Sequence, residues 1–394
     1  MRYAAGLTRG TGIDIEGHAY AVTCRDAAID PAWDAMVEAG GGDLAQTSLW
    51  AASRQRLGFR AWQITVATAG RELQGGCQMY VKRLAPACSV AFVPRGPLLF
   101  AADPDAAPAV LRETVAHARR RGVRFLIVQP PEGADALEDA MTGLGFLPGV
   151  SSVAPEATIR LDITRSDDEL MGAMSAMRRR NLRKALRSDL EVRQDDDIQL
   201  FHRLHSATAA RQGFVPAAYD NLRAQWELLA PTANCSMFIG RHRGVAAAGI
   251  WITRFGGVTT FKLAGWDAAG PAPPYAPDAV HWAAMRWARS TGDRFYDFGG
   301  FDRHAAECLA SGRPLPEAFY RSHSFYKLGF GGTPLLMPRA RFLLLPPAAH
   351  LAFGTATQSL LASPKARRLT QYLRNGRFSG AVSASIGGAI SRKG

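Results

Sequence analysis

Apolar residues along this chain follow two rhythms, a strand-like alternation and a helix-like spacing, and one order of the two occurs twice, about 170 residues apart. The first copy is the helical stretch Ala109–Arg121, the strand-like Val123–Gln129 and then Leu144–Gly145–Phe146. The second is Ala279–Ser290, Arg294–Gly299 and Leu328–Gly329–Phe330. Upstream, Ile64–Val81 and Phe238–Ile252 each read as a strand, a basic turn and a strand of small residues. A repeat of this length predicts two copies of one α/β domain rather than a solenoid, whose units are shorter. Ile127 and Phe298 then fall in equivalent strands, and a groove runs between the copies.

The pattern divides the chain into a leader (1–17), a first domain (18–150), a second domain (151–337) and a tail (338–394). In the first domain it predicts helices at Asp30–Val37, Ala45–Arg56 and Ala107–Arg121, and strands at Trp62–Ala67, Gly76–Lys82, Val90–Val93 and Arg124–Gln129. In the second, Ser166 and Glu169 form a capping box that opens one long helix, Asp167–Ser188. Helices at Asp197–Gln212 and Ala217–Leu229 follow, then strands at Ser236–Gly240, Ala247–Thr253 and Val258–Leu263. Asp278 is placed to cap the next helix, and Phe301–Ser322 is an insertion with no counterpart in the first copy.

Composition narrows the function. A hydrophobic fraction of 47% in 394 residues is enough for two cores. The five cysteines show neither CxxC nor metal-ligand spacing, which suits a reducing compartment and predicts no metal. The first twenty residues lack a signal-peptide core, and no apolar run of about 18 occurs, so a cytoplasmic protein is expected. Charge is unevenly placed. Past Glu317 there is no acidic residue and there are eleven basic ones, so +11 of the net +13 lies in 318–394. A basic tail on a near-neutral body points to a polyanion: RNA, an anionic membrane face or a phosphorylated substrate.

Within the long helix, Arg178, Arg179, Arg180, Arg183, Lys184 and Arg187 spread over more than one face. Either they solvate a helix end or Arg179, Arg180, Arg183 and Lys184 contact phosphate or RNA. Lys327 is a lone cation among Phe325, Tyr326 and Phe330 at a glycine-rich turn, where aromatic faces can hold a desolvated ammonium. Asp297 ends an apolar strand; it either binds nearby backbone N–H groups or accepts a proton. His202 and His205, three apart on one helix, are a candidate pair. The loop Gly265–Pro277 lacks the spacing of a CoA pyrophosphate loop, and its prolines remove N–H donors.

Six segments, in this order, resemble the Fem family of peptidoglycan-bridge aminoacyltransferases, which are built from two GNAT-like domains. They are Gln46–Trp50 with Arg54 and Gly58, Val93–Pro97, Met177–Arg183, Arg211–Phe214, Tyr296–Gly300 and Tyr326–Gly331. The resemblance covers about Gln46 to Gly332. It implies an α/β (α+β) fold of two tandem GNAT-like domains, each a mixed central sheet flanked by helices, with the basic tail appended. It further implies transfer of an aminoacyl group from aminoacyl-tRNA to an amine of a phosphorylated, lipid-linked envelope precursor, with no cofactor. Carried over by motif, Lys327 steadies the oxyanion, Arg54 and Arg211 hold the precursor's diphosphate, and Phe325 and Tyr326 line the substrate site, with Tyr326 standing where the family has Phe. Two alternatives stay open: an acyl-CoA-dependent N-acyltransferase of polysaccharide or lipid synthesis, and a non-catalytic polyanion-binding protein. The tail is either solvated or bound to an anionic partner, and peripheral contact with the inner face of the plasma membrane is one form such binding takes.

Overall fold

The computed structural model describes residues 8–13, 19–85, 88–148, 153–268 and 272–345. The leader is described only in part, and the tail beyond 345, with all its basic residues from Lys365 onward, lies outside the described residues.

Two mixed sheets organise the chain. The first begins with β1 (Thr8–Ile13) and β2 (Ala19–Asp26). Asp30 then accepts from the Trp33 N–H to cap α1 (Pro31–Ala39), with Pro31 at the position where a missing N–H costs nothing. The helix expected from Ala45 is a 3-10 turn at Leu44–Gln46 and then α2 (Ser48–Arg56), because the Thr47 side chain caps Trp50 N–H and restarts the helix. Next come β3 (Arg60–Thr68), β4 (Leu73–Ala85), β5 (Cys88–Pro94), the short β6 (Leu98–Leu99), α3 (Ala106–Arg120), β7 (Phe125–Gln129) and α4 (Asp135–Gly143). Helix α3 buries Ala107, Leu111, Val115 and Ala118 against Ile64, Cys77, Met79 and Leu126 of the sheet. Apolar positions at helical spacing meet apolar positions at strand spacing there, which is what makes the layer.

The second sheet is built from β8 (Ala157–Asp162), β9 (Leu190–Gln194), β10 (Cys235–His242), β11 (Val245–Phe255), β12 (Val258–Trp266), β13 (Phe295–Gly300) and β14 (Thr333–Leu336). Its helices are α5 (Asp167–Ala173), α6 (Ala176–Ala185), α7 (Ile198–Gln212), α8 (Tyr219–Leu229), α9 (Ala276–Ser290), α10 (Arg303–Ala310) and α11 (His323–Leu328). The chain ends its described part with β15 (Arg341–Leu344).

The two sheets repeat one order. Strands β2-β3-β4-β5-β7-β15 in the first match β9-β10-β11-β12-β13-β8 in the second. Each has one internal parallel pair, β5 with β7 and β12 with β13, joined across the long helix α3 or α9. Ile127 and Phe298 do occupy equivalent strands. The Leu-Gly-Phe segments differ in detail: Gly145 has a φ of 78° and ends α4 in the left-handed region, whereas Gly329 has a φ of −62°.

Three local expectations need correction. The single helix over 167–188 is two helices, because Ser175 caps Arg178 N–H and its own N–H donates to the Gly329 carbonyl at 2.8 Å. Asp278 does not cap α9, which starts two residues earlier; its carboxylate turns inward instead. Residues 338–345 also do not behave as tail. Strand β15 returns to the first sheet and pairs antiparallel with β7, Phe342 opposite Ile127. Phe342 is fully buried and stacks on Phe125 at 5.0 Å. Four residues beside a proline-rich stretch carry too little pattern to reveal a partner more than 200 positions away.

The two segments that cross between the domains are held by side chains. The Gln129 amide accepts from Ala154 N–H (2.8 Å) and donates to the Pro338 carbonyl (3.1 Å). Arg303 donates to the carbonyls of Glu156 (3.1 Å) and Met337 (2.7 Å). Leu44, Leu49 and Trp50 of the first domain join the cluster of Leu222, Trp226 and Trp251 in the second. If β15 is part of the first core, Phe342→Ala will cost about 3–5 kcal/mol of stability, as large-to-small changes at fully buried aromatic positions do. Urea unfolding should show this loss; a change under about 1 kcal/mol would mean that the strand is peripheral.

Candidate functional site

Strands β12 and β13 pair in parallel over only three positions, Val258–Phe295 to Thr260–Asp297, and then part. Over the equivalent stretch of the first domain, β5 and β7 pair through five positions, Val90–Phe125 to Pro94–Gln129. A cleft therefore opens in the second sheet. Gly299 sits at its apex with a φ of 65°, and a Cβ there would lie 2.6 Å from the Phe261 carbonyl, so only glycine fits.

Lys327 reaches into this cleft from α11. Its ammonium donates to the Gly300 carbonyl at 2.6 Å and lies 5.5 Å from the centre of the Phe261 ring. The expected cation among aromatics is there, but the ring beneath it comes from β12. Phe325 instead faces outward, 41% exposed, against Phe319 and Tyr320. Tyr326 turns its hydroxyl inward, with the Arg178 guanidinium 4.5 Å from the centre of its ring and Phe330 and His281 beside it. Burial holds the Tyr326 hydroxyl far above the usual phenol range, so it stays protonated. Phe325 and Tyr326 are thus adjacent in sequence and opposite in environment.

Asp297 is fully engaged. One carboxylate oxygen accepts from the Thr158 hydroxyl and from Gly299 N–H (2.7 Å), and the other lies 3.4 Å from the Arg160 guanidinium. Of the two roles open to it in the sequence, this geometry is that of the strand-end support. It fixes the turn whose next carbonyl, Gly300, holds Lys327.

Arg211 is exposed at the end of α7. It donates to the Trp266 carbonyl at 3.1 Å, and its guanidinium lies 4.7 Å from the centre of the Trp266 ring. His323, the first residue of α11, lies in the electrostatic reach of both Arg211 and Lys327. The ring is open at the surface yet crowded by neighbouring atoms, so desolvation, then the Lys327 ammonium and then Arg211 hold its pKa below the usual histidine range. Reading the sequence alone missed His323. Its one signal was the four-residue spacing from Lys327, which puts both on one helix face.

Arg54 is elsewhere. It is 2% exposed in α2, with its guanidinium 4.2 Å from the centre of the Phe59 ring; burial first, and then the Arg54 charge, lower the pKa of the nearby Lys82 ammonium. Arg54 faces the interior of the first domain, and Arg211 lies on the surface of the second. The histidine pair also separates. The His205 ring is hydrogen-bonded to the Ala264 carbonyl (2.7 Å) and Ala217 N–H (3.2 Å), while His202 meets Tyr219 edge-on.

The basic run on α6 sorts by face. Arg178 and Asn181 turn inward to the buried Asp278 carboxylate, at 2.6 and 2.9 Å. Arg179 donates to the carbonyls of Gly172 and Met174 at the end of α5. Arg180, Arg183, Lys184 and Arg187 are exposed on the outer face. All five outer cations, Arg179 included, line one depression of about 670 Å³ with Ala176, Ser188 and Tyr275. Among the described residues no acidic side chain lines it. Helix α6 begins beside α11, through the Ser175–Gly329 bond and the Arg178–Tyr326 contact.

Residues 175–307 match the family described as acetyltransferase (GNAT) domain. They hold α6, the cleft strands and the basic depression. Among curated proteins, the lipid II:glycine glycyltransferase of Staphylococcus aureus (strain MRSA252) is 25% identical over 220 residues, 52% of either chain. That of Staphylococcus aureus strain COL is 25% identical over 211 residues, 50% of either. The chain spans about half the length of the curated relatives it matches. In fold it superposes on the crystal structure of FemX with a TM-score of 0.70 and 16% identity, covering 84% of this chain and 99% of that one. The chain therefore shares the two-sheet fold of FemX and resembles the glycyltransferases over part of its sequence. It also shares its fold with L-PGS from Bacillus licheniformis, at a TM-score of 0.52 and 11% identity, covering 90% of this chain and 99% of that one.

If the outer face of α6 binds a polyanion, replacing Arg180, Arg183 and Lys184 together by Gln will weaken tRNA binding. It will also flatten the dependence of log K on log salt by about two to three units, since each lost phosphate contact removes about 0.7–0.9. Thermal stability should hardly move, because these side chains are exposed. An unchanged salt slope in filter binding would discard the face as a polyanion site.

Proposed function

We propose that this Fem-like protein moves an aminoacyl group from aminoacyl-tRNA to an amine on a phosphorylated, lipid-linked cell-envelope precursor. The observation that carries the reading is the Lys327 ammonium held at the Gly300 carbonyl in the cleft between β12 and β13, on a helix bonded to the start of the basic α6. The glycyltransferase relatives supply the acceptor class, and they do so at 25% identity over half their length.

The chemistry needs little from the protein. An aminoacyl ester is already activated, so an amine can attack its carbonyl without a protein nucleophile. Charge then builds on the carbonyl oxygen, and a fixed ammonium beside it stabilises that charge better than mobile water. Lys327 suits this task because its own hydrogen bond and the Phe261 ring hold its direction before substrate arrives. Arg179, Arg180, Arg183 and Lys184 would hold the donor's phosphates, and Arg211, beside the same cleft, an acceptor phosphate. Arg54 fits that last role less well from its buried place beneath Phe59. The tail from Lys365 onward would add peripheral contact with an anionic membrane surface.

The match to an acetyltransferase domain favours a second reading, an acyl-CoA donor. Against it stands Asp278, 1% exposed in the first turn of α9. A CoA pyrophosphate would use that helix start, where the inward-turned Asp278 carboxylate adds negative charge and keeps Arg178 paired.

Lys327→Met should lower the transfer rate about a hundredfold, about 3 kcal/mol, with donor and acceptor binding nearly intact. Lys327→Arg should rescue poorly, since a planar fork does not replace a point charge. The measurement is single-turnover transfer from charged tRNA to a lipid-linked precursor, with acyl-CoA as the parallel arm. Transfer from acyl-CoA alone would select the second reading, and wild-type rates in Lys327→Met would remove Lys327 from the chemistry.

A further inference from the structure

An amine that attacks an ester must lose a proton before the tetrahedral adduct can collapse toward the amide. The departing oxygen must gain one. The residue expected to take that proton, Asp297, has both carboxylate oxygens committed to Thr158, Gly299 and Arg160. His281 lies near, but it is buried and bonded to the Tyr296 hydroxyl at 2.9 Å; burial, Lys327 and Arg178 push its pKa down to about 3.

We propose that the His323 imidazole accepts this proton from the acceptor amine in the Lys327 cleft. The proposal rests on the aminoacyl-transfer reading and deepens it. His323 and Lys327 stand one turn apart on the same face of α11, and Arg211 approaches from α7. His323 is exposed, and among the described residues neither of its ring nitrogens is hydrogen-bonded. The charged groups that face it are Lys327 on its own helix and Arg211 on α7, both cations; desolvation first, and then these two charges, lower its pKa and favour the neutral ring. A neutral imidazole with a free nitrogen is what a proton acceptor requires. In the step, the amine nitrogen bonds to the ester carbonyl carbon, and its proton passes to His323. The negative carbonyl oxygen rests on Lys327. Collapse then breaks the bond from carbon to the ribose oxygen, and the His323 proton goes to that oxygen. The products are an amide and a free ribose hydroxyl, and His323 returns to neutral.

Arg211 gains a second role. A phosphate docked on it cancels part of the positive field at His323 and raises the ring's pKa, so that acceptor binding strengthens the base. The direction follows from sign alone: a neighbouring cation disfavours the imidazolium, and neutralising it removes that penalty.

The test is single-turnover transfer from charged tRNA with wild type, His323→Gln and His323→Ala, over a pH series. His323→Gln should lower kcat about a hundredfold, in the range that general-base catalysis contributes, with KM little changed. The wild-type rate should fall as pH drops through the ring's pKa, and this limb should vanish in His323→Gln. Added imidazole should restore part of the rate in His323→Ala. Independently of activity, the His323 ring followed by NMR should titrate below the usual histidine range and move upward in both Lys327→Met and Arg211→Gln. Wild-type kcat in a folded His323→Gln would overturn the proposal and leave aminoacyl transfer standing. So would a ring that ignores both neighbouring substitutions. Wild-type protein that transfers from no charged tRNA would instead overturn the underlying reading.

Discussion

The structure turns on the place where β12 and β13 stop pairing. Parallel strands in the middle of a sheet exchange backbone hydrogen bonds along their length, and a pair that parts after three positions leaves polar groups facing a gap inside the protein. Side chains make up the difference. Asp297 takes Gly299 N–H, and Lys327 gives a hydrogen bond to the Gly300 carbonyl. One of the groups that repair the opening, Lys327, is the one proposed to act in transfer. In the first domain β5 and β7 pair without interruption, and no such opening forms between them. One fold, present twice, carries a cleft of this kind in one copy.

From that cleft, polar links run outward to the rest of the second domain. Arg160 and Thr158 hold Asp297; Asp297 holds the turn; the turn holds Lys327. On the other side Arg178 lies over Tyr326 and pairs with Asp278, tying α6 and α9 to α11. With Arg178 and Asn181 committed inward and Arg179 bonded to the end of α5, Arg180, Arg183 and Lys184 are left for solvent or a polyanion. Division of labour on one short helix thus gives both a structural clamp and a charged outer face. Crossing segments fastened by Gln129 and Arg303 set this domain against the first.

Much of this was legible in the sequence, and the limits have physical causes. Domain repetition was readable because the helix and strand periods recur with matched spacing, as at Ala109–Gln129 and Ala279–Gly299. Lys327 stood out as a lone cation among aromatics and glycines, but the ring that meets it, Phe261, lies 66 residues away and gave no local signal. Strand β15 was not, since four residues pairing across some two hundred carry no local signal. The break at Ser175 depends on a partner, Gly329, distant in sequence. Asp297 offered two roles, and only its hydrogen bonds separate them. Arg54 matched a motif by spacing, but spacing does not say whether a guanidinium faces a groove or lies under Phe59. His323 was overlooked because an isolated histidine in a short helix is chemically silent until Arg211 and Lys327 are brought beside it.

The central claim is that transfer chemistry belongs to the second-domain cleft. It is tested most directly by crosslinking an RNA hairpin that carries a non-hydrolysable aminoacyl amide with a photoreactive side chain at its 3′ end. Mass spectrometry of the crosslinked peptides locates the reactive end. The account predicts attachment within 261–266, 299–301 or 323–327, lost when unlabelled charged tRNA competes. Competable attachment confined to the first domain would contradict it.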